Sequence, residues 1–396
     1  MGRIAIISTY FLGAATANGI CAQSIAQELH RLGNDIQVIC YECDSALVLP
    51  YHIHTVSRTG IPSLMCRIVG KIRKTALCLA GSINAVLDEN LVQQYVCALD
   101  KINQEKPIET VVAMFFPLEA GEALRRFKVK NPDVKAILYE LDSIGDGVSD
   151  TSRQKIYNRL YENWLKRVYQ TVDSVFIMQS HEKYWKAKFG DEFAKKLNVA
   201  DIPVLKKPEA VDLDTAEQIL PSFIYAGLIE RRYRSPDFLL AVLRSLHTYT
   251  EFSFSFYSRG DCEDAIAQTA SEIPGIVQNG YVQQYELNRA IHQADFLVSI
   301  GNSVSQSVPS KVITYLSYGK PIIHFFSQND DVCKQYFENY PLALLIDQSM
   351  TADEAAKLIF DFVSEAKGKR IDFQQIEKLF YLNSPAYSAE LILNSL

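Results

Sequence analysis

The 396-residue chain has no uninterrupted apolar run long enough to cross a bilayer, and its first residues read as a strand rather than a signal peptide. The expectation is a cytoplasmic protein, at most peripheral on the inner face of a membrane. It also lacks a basic excess: 40 Lys and Arg stand against 46 Asp and Glu, for a formal net charge of -6. That balance argues against general nucleic-acid binding. Cysteine is present but unpatterned, with eight residues at positions 21, 40, 43, 66, 78, 97, 262 and 333. Cys40-Tyr41-Glu42-Cys43 has redox or zinc spacing, yet no second pair and no neighbouring His pair completes a site. The pair ends a predicted strand with no clear helix behind it, so reduced structural thiols are expected. His52 and His54 alternate along another predicted strand without a third ligand, and no metal is expected there. Hydrophobic residues make up 48% and charged residues 22%, an ordinary soluble composition. The length exceeds what one core usually supports, so two domains are expected.

Ile4–Ser8 is a short apolar run of buried-strand type. A loop with Gly13, Asn18 and Gly19 follows, then an amphipathic helix carrying Ile20, Ile25, Ala26, Leu29 and Leu32, closed by Gly33-Asn34. Asp35–Ile39 returns as a strand, which makes a parallel right-handed unit. Further strands are predicted at Thr110–Phe115, Val134–Leu138 and Ser174–Met178. The second half repeats the pattern with a strand at Ser222–Gly227, a helix at Asp237–Leu246 and a strand at Phe252–Tyr257. A helix at Tyr285–Gln293 and a strand at Phe296–Ile300 come next. Two doubly wound α/β domains are expected, spanning 1–205 and 206–372. The stretch Val199–Asp214, with Pro203 and Pro208, reads as the linker, and 373–396 as terminal helices returning to the first domain.

Two charged features sit where ligands of such sheets bind. In Ser307–Ile323 a Pro and a Ser open a short amphipathic helix, Gly319-Lys320-Pro321 ends it, and a strand follows at once. The first amides of a helix are unpaired, carry partial positive charge and can hold a phosphate, beginning here at Ser310. Lys311 adds a full charge at the same place. Glu230–Pro236 follows the glycine of the strand Ser222–Gly227 and carries Arg231, Arg232 and Arg234. A guanidinium binds phosphate oxygens with a planar fork and never loses its charge. Arg234 and Lys311 form the leading pair, with Arg231 in reserve. A solvated basic loop and an ordinary capped helix are the bland readings of the same residues.

Four pieces in order resemble the GT-B glycosyltransferases, most closely the retaining enzymes of the glycosyltransferase 4 type that build bacterial polysaccharides. They are Phe223–Leu228 with Gly227, Asn279–Val282 with Tyr285-Glu286-Leu287, Ala294-Asp295-Phe296, and Pro309–Pro321. The resemblance implies GT-B architecture, with two Rossmann-like domains facing across a cleft. It implies transfer of a sugar from a nucleoside-diphosphate donor, with uridine the expected base, to a glycan or lipid-linked acceptor. Gly280, Tyr281 and Val282 would line the base, and Gly13 and Gly19 would approach the donor or acceptor. Asp142, in the segment Tyr139–Ser143 after a strand, would orient the acceptor hydroxyl, although Asp also begins many ordinary turns. The family's two glutamates that frame the Pro309 helix fall here on Gln306 and Thr314, so the carboxylate that grips the ribose diol is missing.

The resemblance further implies chemistry without a metal or other cofactor, because cations and helix amides stabilise the leaving diphosphate. Asp212-Leu213-Asp214 lies in the linker, and Asn329-Asp330-Asp331 reads as a solvated helix start, so neither reads as a metal-binding Asp-x-Asp. Ile61–Ile83 reads as a basic amphipathic helix, with Arg67, Lys71 and Lys74 opposite Leu64, Ile68, Ile72 and Leu79. Such a helix either docks on an anionic membrane surface, the reading preferred for an enzyme with lipid-linked acceptors, or covers the first domain. A non-catalytic GT-B subunit is the main alternative function. A nucleotide-sugar epimerase is the third, lacking the acidic and histidine cluster its proton transfers would need.

Overall fold

The structure is a computed structural model that describes residues 2–9, 11, 16–41, 49–57, 87–115, 117–141, 152–211, 219–302, 308–327 and 331–395, with 152–157 as backbone only. The chain divides into two compact units, Met1–Val204 with Leu382–Leu396, and Leu205–Tyr381.

In the first unit the elements alternate as the apolar runs suggest. They are β1 (Arg3–Ile7), α1 (Ala17–Arg31), β2 (Asp35–Cys40), β3 (His52–Thr55), α2 (Glu89–Glu105), β4 (Thr110–Phe115) and α3 (Leu118–Lys130). Then come β5 (Lys135–Glu140), α4 (Ser152–Thr171), β6 (Ser174–Ile177), α5 (Glu182–Phe189) and β7 (Leu197–Val199). Among the described residues the strands form one parallel sheet in the order β3-β2-β1-β4-β5-β6-β7. Helices cover both faces of such a sheet, which is why β4 is buried along its whole length. Cys40 ends β2 with its side chain buried, and Cys21 on α1 is likewise buried.

The second unit restarts with β8 (Ser222–Ile229), α6 (Asp237–Leu246), β9 (Ser253–Gly260), α7 (Glu263–Glu272), β10 (Ile276–Gln278), α8 (Gln284–Gln293) and β11 (Phe296–Ile300). It continues through α9 (Ser310–Ser317), β12 (Ile322–Phe326), α10 (Lys334–Glu338), β13 (Ala343–Asp347), α11 (Ala352–Ala366) and α12 (Phe373–Leu379). Its parallel sheet runs β10-β9-β8-β11-β12-β13. The order reverses between β8 and β11, and a crevice opens at the carboxyl ends of strands where a doubly wound sheet changes direction.

Local chemistry fixes the elements around that crevice. Asp295, just before β11, accepts hydrogen bonds from the backbone N (3.0 Å) and hydroxyl (2.9 Å) of Ser222, which ties the start of β11 to the start of β8. Gly319 ends α9 with φ +65°, and a Cβ there would collide with the carbonyl of Ile371. Lys320 is buried and donates to the carbonyls of Ile291 (2.7 Å), His292 (2.6 Å) and Ala294, satisfying acceptors left open at the end of α8.

Two segments differ from the sequence reading. The start of the expected linker is buried, with Ala200 and Asp201 fully enclosed, and the Asp201 carbonyl accepts from Tyr139 Oη at 2.7 Å. The tail is also divided. Helix α12 lies in the second unit, whereas α13 (Pro385–Asn394) lies in the first, packs on α1 and places Ser388 Oγ 2.9 Å from Tyr139 Oη.

Candidate functional site

At the carboxyl ends of β8 and β11 lies a cavity of about 140 Å³. Its walls include Gly227, Arg234, Ser299, Pro309, Lys311 and Tyr315. Each wall has a local cause. After β8 the chain makes a tight turn in which the amide of Arg234 donates to the carbonyl of Glu230 at 2.7 Å. That turn folds the Arg234 side chain back over the strand end. Its Nη1 donates to the carbonyl of Leu228 at 3.2 Å, and Nε and Nη2 donate to Asn302 Oδ1 at 3.1 and 2.6 Å. These acceptors are neutral, so the guanidinium keeps its full charge. Residue 227 is glycine; a Cβ there would crowd Tyr225 Oη at 3.3 Å and lie at ordinary contact distance, 3.8 Å, from Arg234 Nη1.

The opposite wall is the start of α9. Pro309 occupies the N-cap position in an extended conformation and makes no side-chain cap; its carbonyl accepts from the Val312 amide at 2.9 Å, and Ser310 and Lys311 precede that bond at the helix start. Tyr315 anchors the helix to β8, its hydroxyl accepting from the amide of Ala226 at 2.8 Å. Lys311, on the first turn, is half-buried, and among the described residues no carboxylate is paired with its ammonium. Burial, followed by repulsion from Arg234, pushes Lys311 down to about 8. Two cations therefore share one small crevice and destabilise each other. An anion placed between them would relieve both effects.

Among the sequence candidates, Arg234, Lys311 and Gly227 meet in this cavity. Ser310 begins α9 beside it, and Thr314 lies one turn further, where its hydroxyl donates to the Ser310 carbonyl at 3.3 Å. Arg231 is turned away: its Nη1 pairs with Asp237 at 2.9 Å and its amide donates to Asp261 Oδ1 at 2.8 Å. Gly280, Tyr281 and Val282 lie on the loop between β10 and α8 and do not line the cavity. Tyr281 is 71% exposed, and the guanidinium of Arg259 sits 5.3 Å from its ring centroid. Asp142, Gly13, Gln306 and the Ile61–Ile83 segment fall outside the described residues.

Two expectations are corrected. Gly19 does not sit in an open loop; it lies in the first turn of α1, and its amide is taken by the N-cap Thr16 Oγ1 at 3.1 Å. Asp331 is not solvated; it is buried, 3.3 Å from His324 Nε2 and accepting from the Cys333 amide at 2.8 Å. Sequence reading also missed Asn302 and Ser299. A polar residue just past the apolar run Phe296–Ile300 was the available signal for Asn302. Among the described residues no group of three His, Cys, Asp or Glu side chains is placed to hold a metal ion, and no helix is long and apolar enough to cross a membrane.

The first unit contains a buried polar group of another kind. Glu140 ends β5, and burial pushes its carboxyl up to about 8. Tyr169 Oη donates to it at 2.6 Å and in turn accepts from Trp185 Nε1 at 3.1 Å.

No protein-family model matches the sequence, and no curated protein matches it. Solved structures do match in fold. A glycosyltransferase from Rickettsia africae ESF-5 superposes with a TM-score of 0.64 at 10% identity, over 100% of this chain and 98% of that one. The apo form of the lipopolysaccharide outer core galactosyltransferase WaaB gives 0.57 at 14% identity, over 99% and 98%. The fold is GT-B. The UDP-GlcNAc 2-epimerase of Methanocaldococcus jannaschii also matches, with a TM-score of 0.59 at 10% identity over 99% of both chains. A fold shared by transferases and an epimerase does not by itself choose the reaction.

Proposed function

We propose that this protein is a glycosyltransferase that moves a sugar from a nucleoside-diphosphate donor, with uridine the expected base, to a glycan or lipid-linked acceptor. The observation that carries the reading is the pair Arg234 and Lys311, two cations without a paired carboxylate among the described residues, at the crossover of the second sheet. In transfer, the bond from the anomeric carbon to the diphosphate oxygen breaks and its electrons leave with the diphosphate. The acceptor hydroxyl forms the new bond and gives up its proton to the departing diphosphate oxygen. Charge thus grows on the phosphate oxygens as the old bond lengthens, and preorganised cations and helix amides stabilise that growth most. Arg234 and Lys311 perform this role with no bound metal. Retention at the anomeric carbon is proposed on the family resemblance of the Pro309–Pro321 segment.

Thr314 stands where the family resemblance places a carboxylate, and its hydroxyl is engaged with the Ser310 carbonyl, so the ribose would have to be held by other groups. The test is sugar release and transfer from UDP-sugars by the wild type and by Arg234→Ala. A transferase makes product only when acceptor is present. Conversion of the donor alone would show an epimerase, and nucleotide binding without either reaction would show a binding subunit.

A further inference from the structure

Beneath the two cations, on the same face of the sheet as α9, runs a polar chain that the proposed reaction does not yet use. Ser299 on β11 and His324 on β12 are register partners, so their side chains lie side by side. They interrupt two otherwise apolar strands, Phe-Leu-Val-Ser-Ile and Ile-Ile-His-Phe-Phe. Ser299 Oγ lies 3.2 Å from His324 Nδ1, and His324 Nε2 lies 3.3 Å from Asp331 Oδ2. His324 is fully buried and Asp331 nearly so, whereas Ser299 is partly open and lines the cavity. Room for this arrangement is built in, because a Cβ at Gly301 would collide with Asp331 Oδ2. Burying a carboxylate and an imidazole costs desolvation that apolar residues of similar size would avoid.

We infer that Ser299 is a further ligand of the anion held between Arg234 and Lys311, and that the buried His324–Asp331 pair sets the direction of its hydroxyl. This rests on the cavity's being the diphosphate site. Burial works against the charge of Asp331, but the hydrogen bonds from His324 and from the Cys333 amide outweigh it and hold the carboxyl below its ordinary range. An ionised Asp331 requires a proton on His324 Nε2. In a neutral ring Nδ1 then carries a lone pair, and the Ser299 hydroxyl donates to it. When a phosphate oxygen arrives, the hydroxyl turns to donate into the cavity. Nδ1 takes one proton from the solvent and donates it to Ser299 Oγ. In the completed chain His324 donates from Nε2 to Asp331 and from Nδ1 to Ser299 Oγ, and the Ser299 hydroxyl donates to the phosphate oxygen.

Ring-nitrogen NMR of the protein labelled with ¹⁵N-histidine reads this directly, with His324 assigned by loss of its signals in His324→Gln. Uridine diphosphate is titrated as the probe, and inorganic pyrophosphate as a second probe that needs no base. The expected result is that His324 Nδ1 moves from the unprotonated to the protonated range as either probe saturates the wild type. Ser299→Ala should weaken both probes about five-fold, the worth of one hydrogen bond, and leave His324 Nδ1 unmoved. Ser299→Thr should restore the affinity and the shift. Saturable binding with an unmoved Nδ1, or wild-type affinity in Ser299→Ala, overturns the inference while leaving the diphosphate site standing. If neither probe binds the wild type, the diphosphate reading fails and the inference falls with it.

Discussion

Each unit holds a shifted ionisable group near the carboxyl ends of its strands, Glu140 at the end of β5 and Lys311 on the first turn of α9, but the two groups live differently. Glu140 in the first unit is enclosed and served by its own protein, with Tyr169 donating to it and Trp185 fixing Tyr169. Lys311 in the second unit is half-buried beside another cation, and among the described residues no carboxylate answers either charge. A group whose partner is supplied by the fold contributes to stability. A group whose partner is missing costs stability until something from outside supplies it. The first cluster reads as structural, and the second is where the proposed function places its ligand.

That contrast breaks down most severely if the two cations are dispensable. Arg234→Ala or Lys311→Ala should lower sugar transfer about a hundred-fold or more, the size expected for losing one preorganised donor to a developing oxyanion. The urea midpoint should hold or rise slightly in both variants, because each removes one of two cations that repel each other. Full transfer activity in either would remove that residue from the mechanism.

Removing the donor to Glu140 should give the converse. Tyr169→Phe leaves a buried carboxyl without its hydrogen bond, and the expected loss is about 1–3 kcal/mol of stability, read from the urea midpoint. Nucleoside-diphosphate affinity should stay as in the wild type. A loss of affinity with unchanged stability would reverse the assignment.

pH sharpens the comparison because the two shifts act on different properties. Anion binding favours charged Lys311, which titrates at about 8 in the free protein. Affinity for the diphosphate should be steady below that pH and fall above it, toward tenfold per unit, because binding must then take up a proton. In Lys311→Arg the fall should vanish. Glu140, raised to about 8 from an ordinary value near 4.5, acts on folding instead. Its folded form binds the proton more tightly, so its contribution is full below the unfolded value and declines as pH rises from about 4.5 to about 8. Glu140→Gln should remove that decline from a denaturation series.

The smallest effect belongs to Arg231. Its exposed pair with Asp237 is worth about 0–1 kcal/mol, so Arg231→Ala should change the unfolding equilibrium constant by at most about five-fold and nucleotide affinity by less than about two-fold. A large loss of affinity would return Arg231 to the site.

Much of the fold was legible because buried parallel strands read as apolar runs. Thr110–Phe115, Phe296–Ile300 and the helix Asp237–Leu246 occupy in the structure the spans their periodicity predicts. Helices α2, α3 and α4 were not read, since their apolar residues are diluted by charges that pair across the surface, as Arg126 does with Glu89 and Glu122. For α11 a signal was available in the Thr351–Glu354 capping box. Arg234 and Lys311 could be singled out because one follows a strand and the other opens a helix. Their meeting depends on the strand order β8-β11, which one-dimensional spacing does not contain. Ser299 and His324 were illegible for the same reason, since a lateral register between neighbouring strands joins them, and Asp331 meets His324 from beyond the end of β12. Gly19 misled because an Asn-Gly pair reads as a turn, whereas Thr16 caps the helix before it.

The central claim, that Arg234 and Lys311 await a diphosphate, is tested most directly by calorimetric titration of uridine diphosphate into the wild type and into Arg234→Ala/Lys311→Ala. The account predicts saturable binding to the wild type, weakened at least a hundred-fold in the folded double variant. Equal binding to both proteins, or no binding to the wild type by this or any other nucleoside diphosphate, would contradict it.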